Sequence, residues 1–142
     1  MKKVGVFYWS GSGNTEAMAN AIGNGLAKAG VEYDVVNISE STPDVNGYEM
    51  LMFGCPSMGA EVLEEAEFEP FFEGVESSLS GKKVALFGSY GWGDGEWMRN
   101  WVERTEQAGA NVFDGEGLII NETPDDAGLA QCEEFGSSFA QF

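Results

Sequence analysis

The chain has 142 residues and a formal net charge of −17 at pH 7, with 24 acidic and 7 basic side chains. This length predicts one domain over residues 1–142, and we expect a monomer. The charge argues against binding to nucleic acid or to anionic membranes and favours basic protein partners. No run of about 18 apolar residues occurs, which predicts no membrane span.

The remaining composition points to an ordinary intracellular protein. The apolar run at residues 4–9 follows lysines, but it ends after six residues and no A-x-A cleavage site follows. We therefore expect a cytoplasmic location. Cys55 and Cys132 are far apart and the chain has no histidine, so we expect buried thiols and no metal site.

Short apolar runs alternate with amphipathic stretches along the whole chain. Strands are predicted at residues 4–9, 32–38, 50–54 and 84–88, with a fifth in two pieces at 111–113 and 118–120. Helices are predicted at residues 16–29, 68–75, 96–108 and 126–139, and a turn at 43–47. This order predicts an α/β protein: a doubly wound, five-stranded parallel sheet with helices on both faces. Ligands of such sheets bind beyond the carboxyl ends of the strands.

The first predicted strand is followed by a loop suited to bind a phosphate group. This phosphate loop, residues 10–15, reads S-G-S-G-N-T and leads into a helix. Its hydroxyl and amide groups and the helix N-terminus offer neutral donors to an anion. The loop lacks the lysine of a nucleotide triphosphate P-loop and the spacing of a G-x-G-x-x-G dinucleotide loop. Taken alone, it is also compatible with a capped turn that binds nothing.

Two further loops carry large apolar side chains where the third and fourth strands end. The Met58 loop is defined as residues 56–62, and the Trp92 loop as residues 91–95. Large apolar groups at loop tips indicate that something packs on them. Two such apolar faces across a crevice would hold a flat ring system. A ligand with a planar ring at one end and a phosphate at the other is a mononucleotide.

Three segments of the chain resemble, in order, the cofactor loops of the short-chain flavodoxins of anaerobic bacteria. They are Y-W-S-G-S-G-N-T-E at residues 8–16, G-C-P-S-M-G-A-E at 54–61 and L-F-G-S-Y-G-W-G-D-G-E-W-M at 86–98. E-F-E-P-F-F at residues 67–72 is similar too, and the likeness covers essentially the whole chain. The resemblance implies a flavodoxin-like sheet of strand order 2-1-3-4-5 and non-covalently bound FMN.

The same resemblance implies a role for each loop. The phosphate loop would bind the FMN phosphate, while Met58 and Trp92 would stack on the inner and outer faces of the flavin. Gly59 would be the redox switch, because its peptide would turn over on one-electron reduction and offer its carbonyl to flavin N5. Glu61 would accept a hydrogen bond from flavin N3–H. The implied cofactor-binding residues are Ser10, Gly11, Ser12, Gly13, Asn14, Thr15, Pro56, Ser57, Met58, Gly59, Ala60, Glu61, Ser89, Tyr90, Gly91, Trp92 and Gly93.

The implied function is low-potential one-electron transfer, mainly between the neutral semiquinone and the anionic hydroquinone, by a protein that is not an enzyme. Acids near the ring loops would oppose the anionic hydroquinone by charge repulsion, and this acidic rim would dock transiently on basic-faced redox enzymes. These acids are Glu61, Glu64, Glu65, Glu67, Glu69, Asp94 and Glu96. Two alternatives stay open: an FMN-dependent NAD(P)H:quinone or flavin reductase, and a flavodoxin-like protein dedicated to activating one reductase.

Overall fold

A parallel β-sheet forms the centre of the molecule. The computed structural model describes residues 3–41 and 44–142. Its strands are β1 (Lys3–Tyr8), β2 (Glu32–Asn37), β3 (Met50–Gly54), β4 (Lys83–Tyr90), β5 (Asn111–Val112) and β6 (Leu118–Asn121). The strand order is β2-β1-β3-β4-β5, and β6 pairs with β4 as well. The predicted parallel sheet and its order are therefore confirmed.

The last two strands are pieces of one interrupted edge strand. Both pair in parallel with β4: β5 lies beside Lys83 and Val84, and β6 lies beside residues 87–90. Between them the chain makes a short turn in which Asp114 and Gly115 have positive φ angles. This confirms the prediction of a fifth strand in two pieces.

Helices cover both faces of the sheet, as predicted: α1 (Asn14–Lys28), α2 (Phe68–Val75), α3 (Glu96–Gln107) and α4 (Asp126–Phe139). On one face, α1 and α4 bury residues such as Ile22 and Phe139 against the strands. On the other face, α2 and α3 bury a largely aromatic core, whose large members include Phe72 and Trp101. Each face thus removes a continuous apolar surface from water.

The predicted ends differ from the observed ones by one or two residues, for local reasons. Helix α1 begins at Asn14 rather than at residue 16, because Gly13 in the left-handed conformation ends the loop there. Strand β4 continues past residue 88, because Ser89 and Tyr90 pair with β6. Of the turn predicted at residues 43–47, Val45–Gly47 form one 3₁₀ turn, and Pro43 lies outside the described residues.

Both cysteines are buried free thiols, as expected. In the part of the chain that the structure describes, no helix has the length and apolar character to cross a bilayer. The same residues hold no cluster of three or more histidine, cysteine or acidic side chains that could bind a metal ion.

Candidate functional site

A cleft of about 350 Å³ opens beyond the carboxyl ends of the central strands. It lies where parallel strands of a doubly wound sheet deliver their loops to one edge. Nine of the predicted cofactor-binding residues line it, from all three loops: Gly11, Ser12, Asn14, Pro56, Ser57, Met58, Ser89, Tyr90 and Gly91. Trp9 and Glu122 also line it, although the sequence did not mark either one as a site residue.

The phosphate loop is shaped by its own hydrogen bonds. The Ser10 hydroxyl oxygen accepts from the backbone N–H groups of Gly13 and Glu16, at 3.2 Å each. Gly13 has φ 95°, a left-handed conformation that a glycine adopts at little cost and that turns the chain into α1. Ser10 therefore maintains the loop with its oxygen and keeps its hydroxyl proton available to a ligand.

Two further hydrogen bonds join the phosphate loop to neighbouring loops. The buried Thr15 hydroxyl lies 3.1 Å from the Ser89 hydroxyl, at the end of β4. The Thr123 hydroxyl, in the segment after β6, donates to Asn14 Oδ1 at 3.0 Å. The Thr15 side chain thus fixes the loop in place, and Asn14 keeps its NH₂ group for a ligand.

The donors around this loop fit a phosphate group without any positive side chain. Ser12 and Asn14 line the cleft, and the first N–H groups of α1 have no carbonyl partner within their own helix. Neither lysine nor arginine occurs among the described residues that line the cleft. Neutral donors at a helix N-terminus are a recognised means of binding phosphate, so these residues fit the phosphate of FMN.

The Met58 loop is a tight turn closed by backbone hydrogen bonds. Met58 and Val62 exchange two N–H···O bonds, of 2.8 and 3.0 Å, in an isolated antiparallel bridge. Between them Gly59 has φ 47° and Glu61 has φ 57°. Open space surrounds the Gly59 Cα, because an added Cβ would meet no atom within 4 Å. The turn is therefore held at its base, while its tip is free of packing.

The Trp92 loop carries the most exposed large apolar side chain of the described residues. The Trp92 side chain is 64% exposed, and Met58 is 36% exposed. Glu61 joins this loop to the Met58 loop: its Oε1 accepts from the Glu96 N–H at 3.2 Å, and a Cβ at Gly93 would lie 2.4 Å from that oxygen. Gly93 thus leaves room for Glu61, whose carboxylate faces the start of α3.

The predicted residues outside the cleft lining divide into two groups. Ser10, Gly13 and Thr15 shape and anchor the phosphate loop, as their hydrogen bonds and backbone angles show. The others, Gly59, Ala60, Glu61, Trp92 and Gly93, stand in the outer parts of the Met58 and Trp92 loops. The structure thus brings the phosphate loop together with Met58 and Gly91 and leaves the outer parts of the Met58 and Trp92 loops beside the cleft.

The base of the Met58 loop is fixed from behind by Cys55. Its buried Sγ accepts from the Glu64 N–H at 3.3 Å, and its carbonyl accepts from the Trp97 indole N–H at 3.2 Å. A Cβ at Gly88 would lie 2.1 Å from that carbonyl oxygen, so β4 needs a glycine there. Burial raises the pKa of the Cys55 thiol well above its usual range, which keeps it protonated and unreactive.

The acids predicted near the ring loops, together with Glu122, divide into carboxylates that have a hydrogen-bond or ion-pair partner and carboxylates that have none among the described residues. Burial opposes ionisation of Glu64, but its hydrogen bonds from the Phe68, Glu67 and Ala66 N–H groups outweigh burial and lower its pKa. Glu69 forms a two-bond ion pair with Arg104, and Asp94 pairs with Arg99 at 2.9 Å. The charges of these three carboxylates are therefore partly compensated by their partners, which the sequence did not suggest. Exposed Glu65 and Glu122 keep theirs.

A second depression, of about 320 Å³, lies between α3 and the interruption of the edge strand. Met98, Val102 and Ile119 line it together with the Asp94–Arg99 ion pair. None of the described residues that line it has a hydroxyl side chain, and no glycine–hydroxyl loop directs donors at an anion there. Its chemistry does not match a mononucleotide, so the cleft at the strand ends remains the candidate site.

Comparisons with known proteins identify the family of this chain's relatives. The family model described as flavodoxin matches residues 6–136. The chain is 48% identical over 136 residues to a flavodoxin of Clostridium beijerinckii, with 95% of this chain and 97% of the relative covered. It is 47% identical to a flavodoxin of Megasphaera elsdenii, with 97% and 98% covered. The solution structure of two-electron reduced Megasphaera elsdenii flavodoxin superposes with a TM-score of 0.88 at 46% identity, over 98% of this chain and 99% of that one.

Proposed function

Because this chain belongs to the flavodoxin family, whose members bind FMN and transfer electrons, we propose that it is a low-potential one-electron carrier. The proposed couple lies mainly between the neutral semiquinone and the anionic hydroquinone. The observation that carries the proposal is one cleft lined both by a neutral phosphate loop and by Met58, with the exposed side chain of Trp92 following the cleft residue Gly91.

The bound flavin would supply the one-electron chemistry, and the protein's part is to hold and surround it. Ser12, Asn14 and the N-terminus of α1 would hold the phosphate. Met58 and Trp92 would cover the two faces of the ring and exclude water from it. Gly59, with its positive φ and its unpacked tip, is the peptide that we propose to reorient when the cofactor changes redox state.

The negative charge of the protein supports a low potential for the second one-electron reduction. The net charge of −17 and the exposed carboxylate of Glu122, which lines the cleft, oppose an added negative charge on the ring. Each unit charge at roughly 10 Å changes the energy of that anion by about 1 kcal/mol or less at an effective dielectric near 40. Several such charges together would make the second reduction difficult.

An anaerobic redox titration with visible spectra tests the carrier proposal. The expected result is a long-lived neutral semiquinone followed by a second reduction at distinctly lower potential. Direct two-electron reduction with no semiquinone would overturn the proposal. A cytoplasmic location and a single-domain monomer stay predictions; sedimentation velocity at several concentrations tests the monomer.

The proposed partners are redox enzymes with basic faces that dock transiently at the acidic rim. Attraction between opposite charges increases the association rate and is screened by salt, with a Debye length of about 10 Å at 0.1 M ionic strength. Electron transfer to such a partner should therefore become slower as salt is added. A rate that is independent of ionic strength would contradict this docking proposal.

The reductase alternative has its own test. An FMN-dependent NAD(P)H:quinone or flavin reductase would oxidise NAD(P)H in steady state with no other protein present. We expect no such turnover, because two relatives that match this chain over nearly their full length, from Clostridium beijerinckii and Megasphaera elsdenii, are flavodoxins. A carrier dedicated to one reductase would differ from a general carrier only in the number of its partners. Electron transfer measured with several basic-faced acceptors in competition would distinguish the two.

A further inference from the structure

The wall of the cleft between the phosphate loop and the Met58 loop is formed by an indole ring. Trp9 follows directly after β1, and its side chain lines the cleft beside Gly11 and Met58. A Cβ at Gly11 would lie 3.0 Å from the Trp9 ring, so the indole lies directly against the backbone of the phosphate loop. The Trp9 backbone is fixed as well, because its N–H donates to the Gly54 carbonyl at 3.0 Å.

The orientation of this indole is set by a carboxylate 58 residues further along the chain. Trp9 Nε1–H donates to Glu67 Oε1 at 3.0 Å. The Ser39 hydroxyl donates to the same oxygen, also at 3.0 Å. Ser39 is itself held, since its N–H donates to Asn37 Oδ1 at 2.9 Å. Three segments therefore meet at one carboxylate oxygen: the end of β1, the turn after β2 and the residue before α2.

The Glu67 side chain makes no other hydrogen bond among the described residues. It stands at the N-cap position of α2, yet it does not cap the helix, because Glu64 bonds to the N–H groups there. Its carboxylate is directed instead at Trp9 and Ser39. A glutamate so placed can act by accepting hydrogen bonds or by its charge, and the two roles predict different behaviour on substitution.

We infer that Glu67, with Ser39, positions Trp9 as a wall of the cofactor cleft and acts there by accepting hydrogen bonds rather than by its charge on the flavin. This inference rests on the proposed binding of FMN. The indole wall would contact the part of the cofactor that lies between the phosphate loop and the Met58 loop. Holding the ring in its bound orientation before the cofactor arrives removes an ordering cost from binding.

Glu67→Gln and Glu67→Ala separate the two roles. Glutamine removes the charge and keeps an oxygen that accepts from the indole, whereas alanine removes both. We expect Glu67→Ala to weaken FMN binding to the apoprotein about threefold, as for loss of one partly exposed hydrogen bond. Glu67→Gln should leave the dissociation constant within about 1.5-fold of wild type. Glu73→Ala, the matched control, removes an exposed acid of α2 that lies outside the acidic rim and makes no hydrogen bond within the described residues, and should have no effect.

A second readout does not depend on FMN. The Trp9 indole N–H resonance of the apoprotein is identified by its loss in Trp9→Phe. It should move upfield and exchange faster in Glu67→Ala, and stay near its wild-type position in Glu67→Gln. In a double-mutant cycle, Trp9→Phe and Glu67→Ala should be clearly non-additive in FMN affinity, because both remove the same hydrogen bond.

The outcomes are distinguishable. Equal weakening by Glu67→Gln and Glu67→Ala would assign the effect to charge and overturn the inference. An unmoved indole resonance in Glu67→Ala, or additive effects in the cycle, would overturn it too. If the wild-type apoprotein fails to bind FMN, the proposed function fails, whereas the indole resonance still decides whether Glu67 holds Trp9.

Discussion

The two halves of the cleft are built in opposite ways. The phosphate loop is fixed by side chains: Ser10 bonds within the loop, Thr15 bonds to the end of β4, and Asn14 receives a bond from Thr123. The Met58 and Trp92 loops are held at their bases, and they present exposed apolar side chains at glycine-rich tips.

This difference corresponds to two tasks. A phosphate keeps the same charge and shape throughout a redox cycle, so its binding site gains from being rigid. A flavin ring changes its protonation and charge, so the backbone next to it must be able to follow. This difference predicts that removal of an exposed side chain from the ring loops alters cofactor properties and leaves stability unchanged, whereas removal of a buried side chain from the phosphate loop alters both.

The largest effect is expected for Trp92→Ala. Removal of a stacking aromatic ring should weaken FMN binding by about 10- to 100-fold, by analogy with stacking of bases on aromatic side chains. Because the side chain is 64% exposed, the melting temperature of the apoprotein should not change. Fluorescence titration of the apoprotein with FMN measures the affinity, and Trp92→Phe serves as the control that keeps a ring. A loss of affinity below threefold would mean that Trp92 does not stack.

Thr15→Val tests the opposite behaviour on the phosphate side. It removes one member of a buried hydroxyl pair and leaves the Ser89 hydroxyl without its partner. The free energy of unfolding should fall by about 1–2 kcal/mol, and FMN affinity should fall with it. Thr105→Val is the matched control, because Thr105 is buried within α3, where its hydroxyl donates to the Trp101 carbonyl. A variant that loses stability at full FMN affinity would show that the Thr15–Ser89 pair does not shape the site.

Comparing Gly59→Ala with Gly81→Ala separates a redox role of Gly59 from the general cost of an alanine at positive φ. Both glycines have positive φ, 47° and 79°, and an added Cβ at either would meet no atom within 4 Å. Each alanine should therefore lower the free energy of unfolding by a similar amount, about 1 kcal/mol. Only Gly59→Ala should also shift the redox potentials of the FMN-loaded protein, as anaerobic titration would detect. Equal potentials in the two variants would remove Gly59 from the redox mechanism.

The fold and most of the site could be predicted from local sequence. Continuous apolar runs such as residues 50–54 are buried strands, and the glycine–hydroxyl pattern after β1 is what a helix N-terminus needs to bind a phosphate. The loops that follow parallel strands meet at one edge whatever their sequence separation. For this reason local sequence patterns suffice to place the phosphate loop and the Met58 loop side by side.

Long-range hydrogen bonding could not be predicted in the same way. The sequence groups Glu64, Glu67 and Glu69 as rim charges, but the structure directs them at a helix N-terminus, at Trp9 and at Arg104, respectively. The partners of Glu67 and Glu69 lie 58 and 35 residues away, and no local pattern identifies them. Glu122 was missed for a related reason: its place in the cleft depends on β6 pairing with β4, where its N–H donates to the Tyr90 carbonyl.

The smallest effect is expected where the base of the Met58 loop meets α2. The three N–H groups that bond to Glu64 lower its pKa below the ordinary value of 4.5, against the opposing effect of burial. A carboxyl with a lowered folded-state pKa stabilises the protein above its unfolded-state pKa, and this contribution is lost as the pH falls through the folded-state value. Glu64→Gln should therefore lower the free energy of unfolding by about 0.5–1 kcal/mol at pH 7.

The difference between Glu64→Gln and wild type should then shrink as the pH falls below 4.5, because protonated glutamic acid and glutamine offer the helix similar neutral acceptors. Denaturant unfolding at pH 7 and at several acidic pH values measures this change. Glu65→Gln, at the exposed neighbour, should show no pH-dependent difference from wild type. A constant deficit for Glu64→Gln across the pH range would mean that its ionised form does not cap α2.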